Sequence, residues 1–114
     1  MVRIYHNTRC SKSRATLALL EQRIGACEVI NYLEQPPSAA ELVVLLQQLG
    51  MSPRELMRQN EAEYQQLDLA DPVLDDAALI AAMVKHPKLI ERPIVVANGR
   101  AVMGRPPEAV LDIL

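Results

Sequence analysis

The chain has 114 residues, a formal net charge of −2, and a composition in which half of the residues are hydrophobic. This length suits one domain with its own hydrophobic core, which has to be built without Phe or Trp. A nucleic-acid-binding module is disfavoured, because such modules need surplus cations for phosphates and aromatic rings on which bases stack.

The chain opens with a predicted β–α–β unit. An apolar strand, Val2 to Tyr5, leads through a polar loop into a helix that begins at Ser11 or Lys12, where a serine can cap it. The helix is predicted to end near Arg23. Its apolar face is predicted to carry Leu17, Leu20 and Ile24. Residues 27–32 form the second strand, which should lie parallel to the first through a right-handed connection.

Cys10 stands where the first strand, the loop and the helix meet. The first N–H groups of a helix carry partial positive charge, which favours the reactive thiolate form of a cysteine. The first 23 residues also carry five Lys and Arg side chains against one carboxylate, including Arg9, Lys12 and Arg14 around the thiol. This pattern indicates a redox or nucleophilic cysteine that acts on a small oxyanion; an inert, partly buried cysteine is the alternative.

Two further residues bear on this cysteine. A protonated His6 would stabilise the thiolate, whereas a neutral His6 bonded to the loop would be structural; we favour a tuning role. Cys27 and Cys10 form neither a disulfide framework nor a metal-ligand spacing, and Cys27 is expected to pack in the core. With no leader and no apolar run long enough to cross a bilayer, we expect a cytoplasmic protein with reduced thiols.

A block of helices at about residues 38–90 interrupts the strands. Two capping boxes, at residues 38–41 and 52–55, each place a serine three positions before a glutamate and start a helix. A short third helix follows, and Asp75 opens a fourth. No strand is predicted within this block.

Strands return at residues 94–97 and 100–103, separated by Asn98-Gly99, which is the strongest short-range signal of a hairpin. A final helix near residue 106 is predicted to bury Val110, Leu111 and Leu114. A β–α–β unit followed by β–β–α is the thioredoxin-like arrangement. We therefore predict one α/β domain over residues 1–114, a mixed sheet flanked by helices, with the helical block inserted. The Arg92–Pro93 bond before the third strand can be cis or trans.

Motifs spread over nearly the whole chain carry a family resemblance. They are Tyr5-His6-Asn7-x-x-Cys10-x-x-Ser13-Arg14, Tyr32-Leu33-Glu34-x-Pro36-Pro37, Glu55-Leu56-x-Arg58-x-Asn60, His86-Pro87-x-Leu89-Ile90-x-Arg92-Pro93 and Gly104-Arg105-Pro106. In this order and spacing they resemble the glutaredoxin-coupled arsenate reductase family, ArsC, and in particular its short YfgD-like branch.

The resemblance implies a site. It makes Cys10 the nucleophile, His6 a residue that sets its reactivity, and three arginines the arsenate ligands: Arg58, Arg92 and Arg105. Converging guanidinium groups suit a tetrahedral oxyanion, since each offers a planar fork of donors. The residues after the cysteine would support the anion loop: Ser11, Lys12, Ser13 and Arg14.

The resemblance also implies a reaction. Thiolate Cys10 attacks arsenate to give a cysteine-thioarsenate, glutathione attacks that adduct, and glutaredoxin removes the glutathionyl group, releasing arsenite. Glutathione is a co-substrate, and no bound metal or organic cofactor is required. The expected partners are arsenate or a similar oxyanion, glutathione and glutaredoxin, without nucleic acid or membrane, and we expect a monomer.

Two other functions stay open. A redox-responsive regulator that resembles Spx would share this fold and bind RNA polymerase, but would have no need of the three arginines. A glutathione-dependent thiol reductase would act on another substrate. A phosphatase-like arsenate reductase is disfavoured, because its anion loop needs Arg six residues after the cysteine and Thr16 stands there.

Overall fold

The computed structural model describes residues 2–114. Within these residues there are four strands: β1 (Arg3–His6), β2 (Glu28–Asn31), β3 (Ile94–Ala97) and β4 (Arg100–Met103). The same residues include five α-helices: α1 (Ser11–Ile24), α2 (Ala39–Leu49), α3 (Pro53–Leu56), α4 (Ala62–Gln66) and α5 (Asp76–Lys85). Two 3₁₀-helices cover Pro87–Leu89 and Pro107–Ile113. The chain forms two compact units, a sheet unit of residues up to 35 with 92–114 and a helical unit of residues 36–91.

The sheet unit holds all four strands in the order β2-β1-β3-β4. β1 lies parallel to β2, with His6 opposite Asn31, and antiparallel to β3, with Tyr5 opposite Ile94. β3 and β4 form the predicted hairpin, whose turn residues Asn98 and Gly99 both have positive φ, at 55° and 73°. Both angles suit the tight turn that Asn-Gly favours. The mixed sheet with flanking helices confirms the predicted α/β thioredoxin-like fold.

The final element is a 3₁₀-helix rather than the α-helix expected from the sequence. Because a 3₁₀-helix has three residues per turn, residues i and i+3 share a face. Val110 and Ile113 are accordingly buried in the core cluster with Ile4, Leu20 and Val95. The prediction that Leu114 is buried was wrong: it is 40% exposed, and Leu111 is half-buried.

Helix α1 buries other residues than those predicted, and it has a different N-cap residue. Its buried residues are Ser13, Thr16 and Leu20, whereas Ile24, which was predicted to face inward, is 39% exposed. The predicted serine cap was also wrong, because Cys10 itself occupies the N-cap position and no side-chain capping hydrogen bond forms there. The polar residues are buried because they bond to other parts of the sheet unit.

The helical unit follows its sequence signals closely. Both capping boxes are present, at Ser38 with Glu41 and at Ser52 with Glu55, and Asp75 caps α5 by accepting a bond from the N–H of Ala78. The apolar face of α2 buries Leu42, Leu45 and Leu46. None of the helices within residues 2–114 is long and apolar enough to cross a membrane.

Candidate active site

Cys10 ends a tight turn that follows β1. Its backbone N–H donates to the carbonyl oxygen of Asn7 at 3.1 Å, and its own carbonyl accepts the first helical bond from the N–H of Arg14 at 3.0 Å. The side chain is 8% exposed. The thiol therefore lies largely out of solvent at the N-terminus of α1, as the sequence predicts.

Two arginines of the sheet unit meet at this thiol. Nη2 of Arg105, which follows β4, lies 3.8 Å from Sγ of Cys10. Nε of the same guanidinium donates to the backbone carbonyl of Arg92 at 2.8 Å, so the two residues are linked. The peptide bonds that follow them, Arg92–Pro93 and Arg105–Pro106, are both cis. The structure thus brings together three of the predicted site residues, Cys10, Arg92 and Arg105.

The thiolate of Cys10 is stabilised despite its burial. Burial by itself raises the pKa of Cys10, but the backbone N–H of Ser13, the charge of Arg92 and the N–H of Lys12 outweigh it, and the pKa is lowered below that of an ordinary cysteine. The helix dipole and a guanidinium therefore act together on one sulfur. This matches the activation that the sequence predicts.

His6 bonds to Ser13 rather than to the thiol. Both side chains are buried, and Nδ1 of His6 lies 2.6 Å from Oγ of Ser13, which also accepts the N–H of Asn7 at 3.0 Å. Burial, and next the charge of Arg14, lower the pKa of His6 below 6.5. Burial therefore favours the neutral imidazole over the charged one. Of the two states considered for His6, the structure favours the one that orders the turn.

The remaining residues of the predicted anion loop take different positions. Ser11 and Lys12 are exposed on the first turn of α1. Lys12 acts on the thiol through its backbone N–H and not through its side chain. The side chain of Arg14 points back along the turn, where Nη1 donates to the carbonyl of Thr8 at 2.9 Å. The side chain of Arg14 thus supports the turn by its bond to Thr8, and Ser13 supports it by a buried hydrogen bond to His6.

Arg58 lies in the helical unit. It forms ion pairs with Glu61, one turn ahead, and with Glu91, whose Oε1 is 3.5 Å from Nε of Arg58. Its backbone N–H donates to the carbonyl of Leu89 at 2.7 Å, which fixes the segment between α3 and α4. The role of Arg58 as a substrate ligand stays a prediction.

Gly104 is a site residue that the sequence analysis missed. A Cβ at this position would lie 2.6 Å from Oγ1 of Thr16 and 2.7 Å from Cγ of Pro93, closer than side chains tolerate. Its N–H donates to the carbonyl of Pro93 at 2.9 Å. Only glycine therefore lets the segment carrying Arg105 approach α1 this closely. A signal for this contact is hard to find in the sequence, because Thr16 and its partner Gly104 are 88 positions apart.

The sequence model of the ArsC family matches residues 5–113 of this chain. The chain belongs to the ArsC family. It is 61% identical to the protein YfgD of Escherichia coli (strain K12), over 99% of this chain and 96% of that protein. It is 49% identical to an arsenate reductase of Neisseria meningitidis serogroup B, over 99% and 97% of the two chains. A solved structure of an arsenate reductase from Vibrio cholerae superposes with a TM-score of 0.97, at 60% identity, covering 99% of this chain and 97% of that one.

This ArsC-family chain has a second thiol with different properties. Cys27 is half-buried against the core cluster, and burial, followed by the charge of Glu21, raises its pKa. It was predicted to pack in the core, and the contact with the cluster confirms this. Among residues 2–114, no group of three or more His, Cys, Asp and Glu side chains is arranged to hold a metal ion.

The arrangement can perform nucleophilic chemistry on an anion. A thiolate is the attacking group, and the guanidinium of Arg105 beside it can receive an oxyanion by parallel N–H donors. The same positive groups that lower the pKa of Cys10 would hold the negative charge of a bound oxyanion. Attack at the central atom of that oxyanion is the reaction that this geometry favours.

Proposed function

We propose that the protein is an arsenate reductase that uses Cys10 as its nucleophile and is coupled to glutathione and glutaredoxin. The observation that carries this proposal is the position of Sγ of Cys10, at the N-terminus of α1 and 3.8 Å from the guanidinium of Arg105. Similarity to proteins named arsenate reductase, over nearly their full length, supports the choice of oxyanion.

In the first step, Arg92 and Arg105 hold arsenate while the thiolate of Cys10 attacks arsenic. An S–As bond forms, and one arsenate oxygen takes up a proton and leaves as water. The thiolate of glutathione then forms a second As–S bond, and another oxygen takes up protons from solvent and leaves as water. No oxidation state has changed up to this point, because both steps are substitutions at As(V).

Reduction follows when glutaredoxin arrives. Its thiolate attacks the glutathionyl sulfur, and the bond between that sulfur and arsenic breaks with its electron pair left on arsenic, so that As(V) becomes As(III). The oxidised product is a mixed disulfide of glutaredoxin and glutathione. Water then displaces Sγ of Cys10 from arsenic, which releases arsenite and regenerates the thiolate. We place this cycle in the reducing cytoplasm, with the protein as a monomer.

His6 has a supporting part in this cycle. Its buried contact with Ser13 at 2.6 Å fixes the turn, and the backbone N–H of Ser13 then acts on the thiolate. We therefore assign His6 as a positioning residue for Cys10. Arg58 is proposed as a third arsenate ligand, on the family resemblance alone.

A geometric observation favours an enzyme over an Spx-like regulator. A regulator needs only a cysteine that changes oxidation state, whereas here Arg105 is directed at the thiol and anchored to the backbone of Arg92. Such an anchored guanidinium is what recognition of a small oxyanion requires. A thiol reductase with another substrate would not need it either.

The test is arsenate-dependent oxidation of NADPH with glutathione, glutaredoxin and glutathione reductase supplied. The wild-type chain and Cys27→Ser should turn over arsenate, whereas Cys10→Ser should lose essentially all activity, on the order of 10³-fold or more, as expected on removal of a nucleophile. Thermal unfolding of Cys10→Ser should be nearly unchanged. Turnover by Cys10→Ser would remove Cys10 as nucleophile; a folded wild-type chain without turnover would overturn the arsenate reductase proposal.

A further inference from the structure

A polar pocket opens next to the Cys10 turn, on the side of β2. It has a volume of about 280 Å³ and is lined by Asn7, Thr8, Arg9, Asn31, Leu33 and Glu34. One wall is formed by residues that follow β1, and the other by the last residue of β2 and residues that follow it. Because β1 and β2 are parallel, with His6 opposite Asn31, the two walls leave the same edge of the sheet side by side. Carboxyl ends of parallel strands are a common place for ligands. We call this cavity the β1–β2 pocket.

The first wall of the pocket is continuous with the reactive thiol. Residues 7–9 belong to the turn that Cys10 closes by its bond to the carbonyl of Asn7. Oδ1 of Asn7 accepts the N–H of Arg9 at 2.9 Å, and Arg14 holds the carbonyl of Thr8. The wall is therefore ordered by hydrogen bonds and is joined to Cys10 by a single peptide bond.

The pocket and the anion arginines lie on different sides of β1. Arg92 and Arg105 flank β3 and β4, while the pocket lies between the ends of β1 and β2, and β1 separates β2 from β3 in the sheet. A ligand in the pocket would therefore not compete with an oxyanion held by the arginines. Both ligands could be near Cys10 together.

The lining of the pocket is balanced in charge. Arg9 carries the positive charge on the first wall, and Glu34 carries the negative charge on the second. The amide of Asn31 can both donate and accept hydrogen bonds, and Leu33 is the apolar residue in the lining. A simple anion would meet the carboxylate of Glu34. A small zwitterion with a carboxylate, an α-ammonium group, peptide groups and a short aliphatic part matches all four features.

We propose that the β1–β2 pocket binds the thiol co-substrate as a small zwitterionic peptide, with Arg9 on a carboxylate and Glu34 on the α-ammonium group. This inference rests on the proposed function, since it names the place from which the thiol reaches the adduct on Cys10. The seated peptide presents its sulfur to the group on Cys10 from the side opposite the arginines.

The proposal is tested without arsenate, by disulfide exchange in a Cys27→Ser background, in which Cys10 is the single thiol. The thiolate of Cys10 attacks one sulfur of oxidised glutathione, forms a protein–glutathione disulfide and releases glutathione thiolate. Bis(2-hydroxyethyl) disulfide reacts in the same way but is uncharged and lacks the peptide. The ratio of the two second-order rate constants therefore reports peptide recognition and cancels any change in the reactivity of Cys10.

Arg9→Gln and Glu34→Gln are each expected to lower this ratio about threefold, in the range of an exposed ion pair. Arg23→Gln and Glu21→Gln, which make the same charge changes near the far end of α1, should leave the ratio unchanged. The Glu34→Gln variant distinguishes binding of the peptide from general electrostatic attraction. Oxidised glutathione is an anion, so general electrostatics predicts faster reaction on loss of Glu34, whereas binding of the α-ammonium predicts slower reaction. An unchanged or higher ratio in Glu34→Gln would overturn the proposal.

The two proposals fail separately. If both pocket variants lose the preference for oxidised glutathione but the wild-type chain does not turn over arsenate, the pocket proposal is supported and the reductase proposal is overturned. If arsenate is turned over but the ratio of the two rate constants is the same in all variants, the reductase proposal is supported and the pocket proposal is overturned.

Discussion

The N-terminus of α1 and the N-terminus of α3 solve the same electrostatic problem in different ways. At α3, Ser52 accepts the N–H of Glu55, and the carboxylate of Glu55 accepts the N–H of Ser52 at 2.8 Å. At α1 the cap is a cysteine without a capping hydrogen bond, and the first turn has no acidic residue. The positive end of α3 is therefore neutralised by its own sequence, whereas that of α1 remains available.

In both helices the N-terminus stabilises an anion. The backbone N–H of Ser52, and then its hydroxyl, lower the pKa of Glu55. Burial opposes ionisation of Cys10, yet the N–H of Ser13 and the charge of Arg92 still lower its pKa. The carboxylate of Glu55 is structural and permanent at pH 7, while the thiolate of Cys10 is a nucleophile. The difference shows that the same dipole serves stability in one unit and reactivity in the other.

The first two turns of α1 are held by tertiary contacts of Ser13 and Thr16, since no side-chain cap holds the helix start. Gly104 tests this most strongly, because a Cβ there meets Thr16 and Pro93 at 2.6 and 2.7 Å. We expect Gly104→Ala to lower the free energy of unfolding by about 1–3 kcal/mol, as overpacking does, and to lower arsenate turnover by displacing Arg105. Urea denaturation measures the first effect and the coupled assay the second.

The double variant Gly104→Ala, Thr16→Ala removes two of the three close contacts made by the new Cβ. It should recover part of the turnover lost in Gly104→Ala. If Gly104→Ala instead has the same free energy of unfolding and the same arsenate turnover as the wild type, close packing of this segment against α1 has no role in placing Arg105.

Changes in the capping boxes of the helical unit are expected to lower stability without lowering arsenate turnover. Ser38→Ala removes the acceptor for the N–H of Glu41, which lies at 3.2 Å, and should cost about 1 kcal/mol of stability. Turnover per folded molecule should not change. Cys10→Ser is the matched variant at α1 and should alter stability by no more than about 0.5 kcal/mol, with turnover lost. Equal losses of stability in the two variants would mean that the thiol of Cys10 contributes to the stability of the folded chain.

Arg92→Gln addresses the charge at α1 and has the smallest expected effect on stability. It should raise the pKa of Cys10, because the charge of Arg92 is one cause of the lowered value. Absorbance of the thiolate near 240 nm, followed against pH in a Cys27→Ser background, measures this. Arg100→Gln removes the charge of an exposed residue at the start of β4 and serves as the control. An identical titration curve for Arg92→Gln and Arg100→Gln would mean that the charge of Arg92 does not lower the pKa of Cys10.

The same shift has a consequence for stability. The pKa of Cys10 is lower in the folded chain than in the unfolded one, so ionisation stabilises the folded state at pH values above the unfolded pKa of about 8.5, and this contribution is lost as the pH falls through the folded value. Arg92→Gln should narrow the pH range between the folded and the unfolded pKa of Cys10, and so reduce the stability that ionisation contributes. Comparison of each chain with its own Cys10→Ser variant isolates the effect.

Much of the fold was predictable because its signals are local. The Asn98-Gly99 turn, the two capping boxes and the position of Cys10 before α1 each depend on residues within four positions of one another, and the structure confirms them. Local signals determine where elements begin and end. They also order the site, since strand, turn and helix N-terminus fix where the thiol lies.

The errors occurred where distant residues decide. Spacing alone placed Ile24 on the buried face of α1, but the helix instead turns Ser13 and Thr16 inward, toward His6 and Gly104. Nothing local marks these polar residues as buried. The 3₁₀ geometry of residues 107–113 was also missed; it places Val110 and Ile113 on one face, where they are buried against Ile4 and Val95, which are distant in sequence. Arg105 was carried over from a family motif, and its contact with Cys10 spans 95 positions.

The bond from Nε of Arg105 to the carbonyl of Arg92 also has an entropic meaning. A free arginine side chain has many rotamers, and ordering them on binding would weaken the complex. Here folding has already ordered the guanidinium, so an arriving oxyanion meets a rigid receptor. Lysine would keep the charge at this position but has one ammonium group, which lacks the planar fork needed to anchor on a carbonyl and face the sulfur at once.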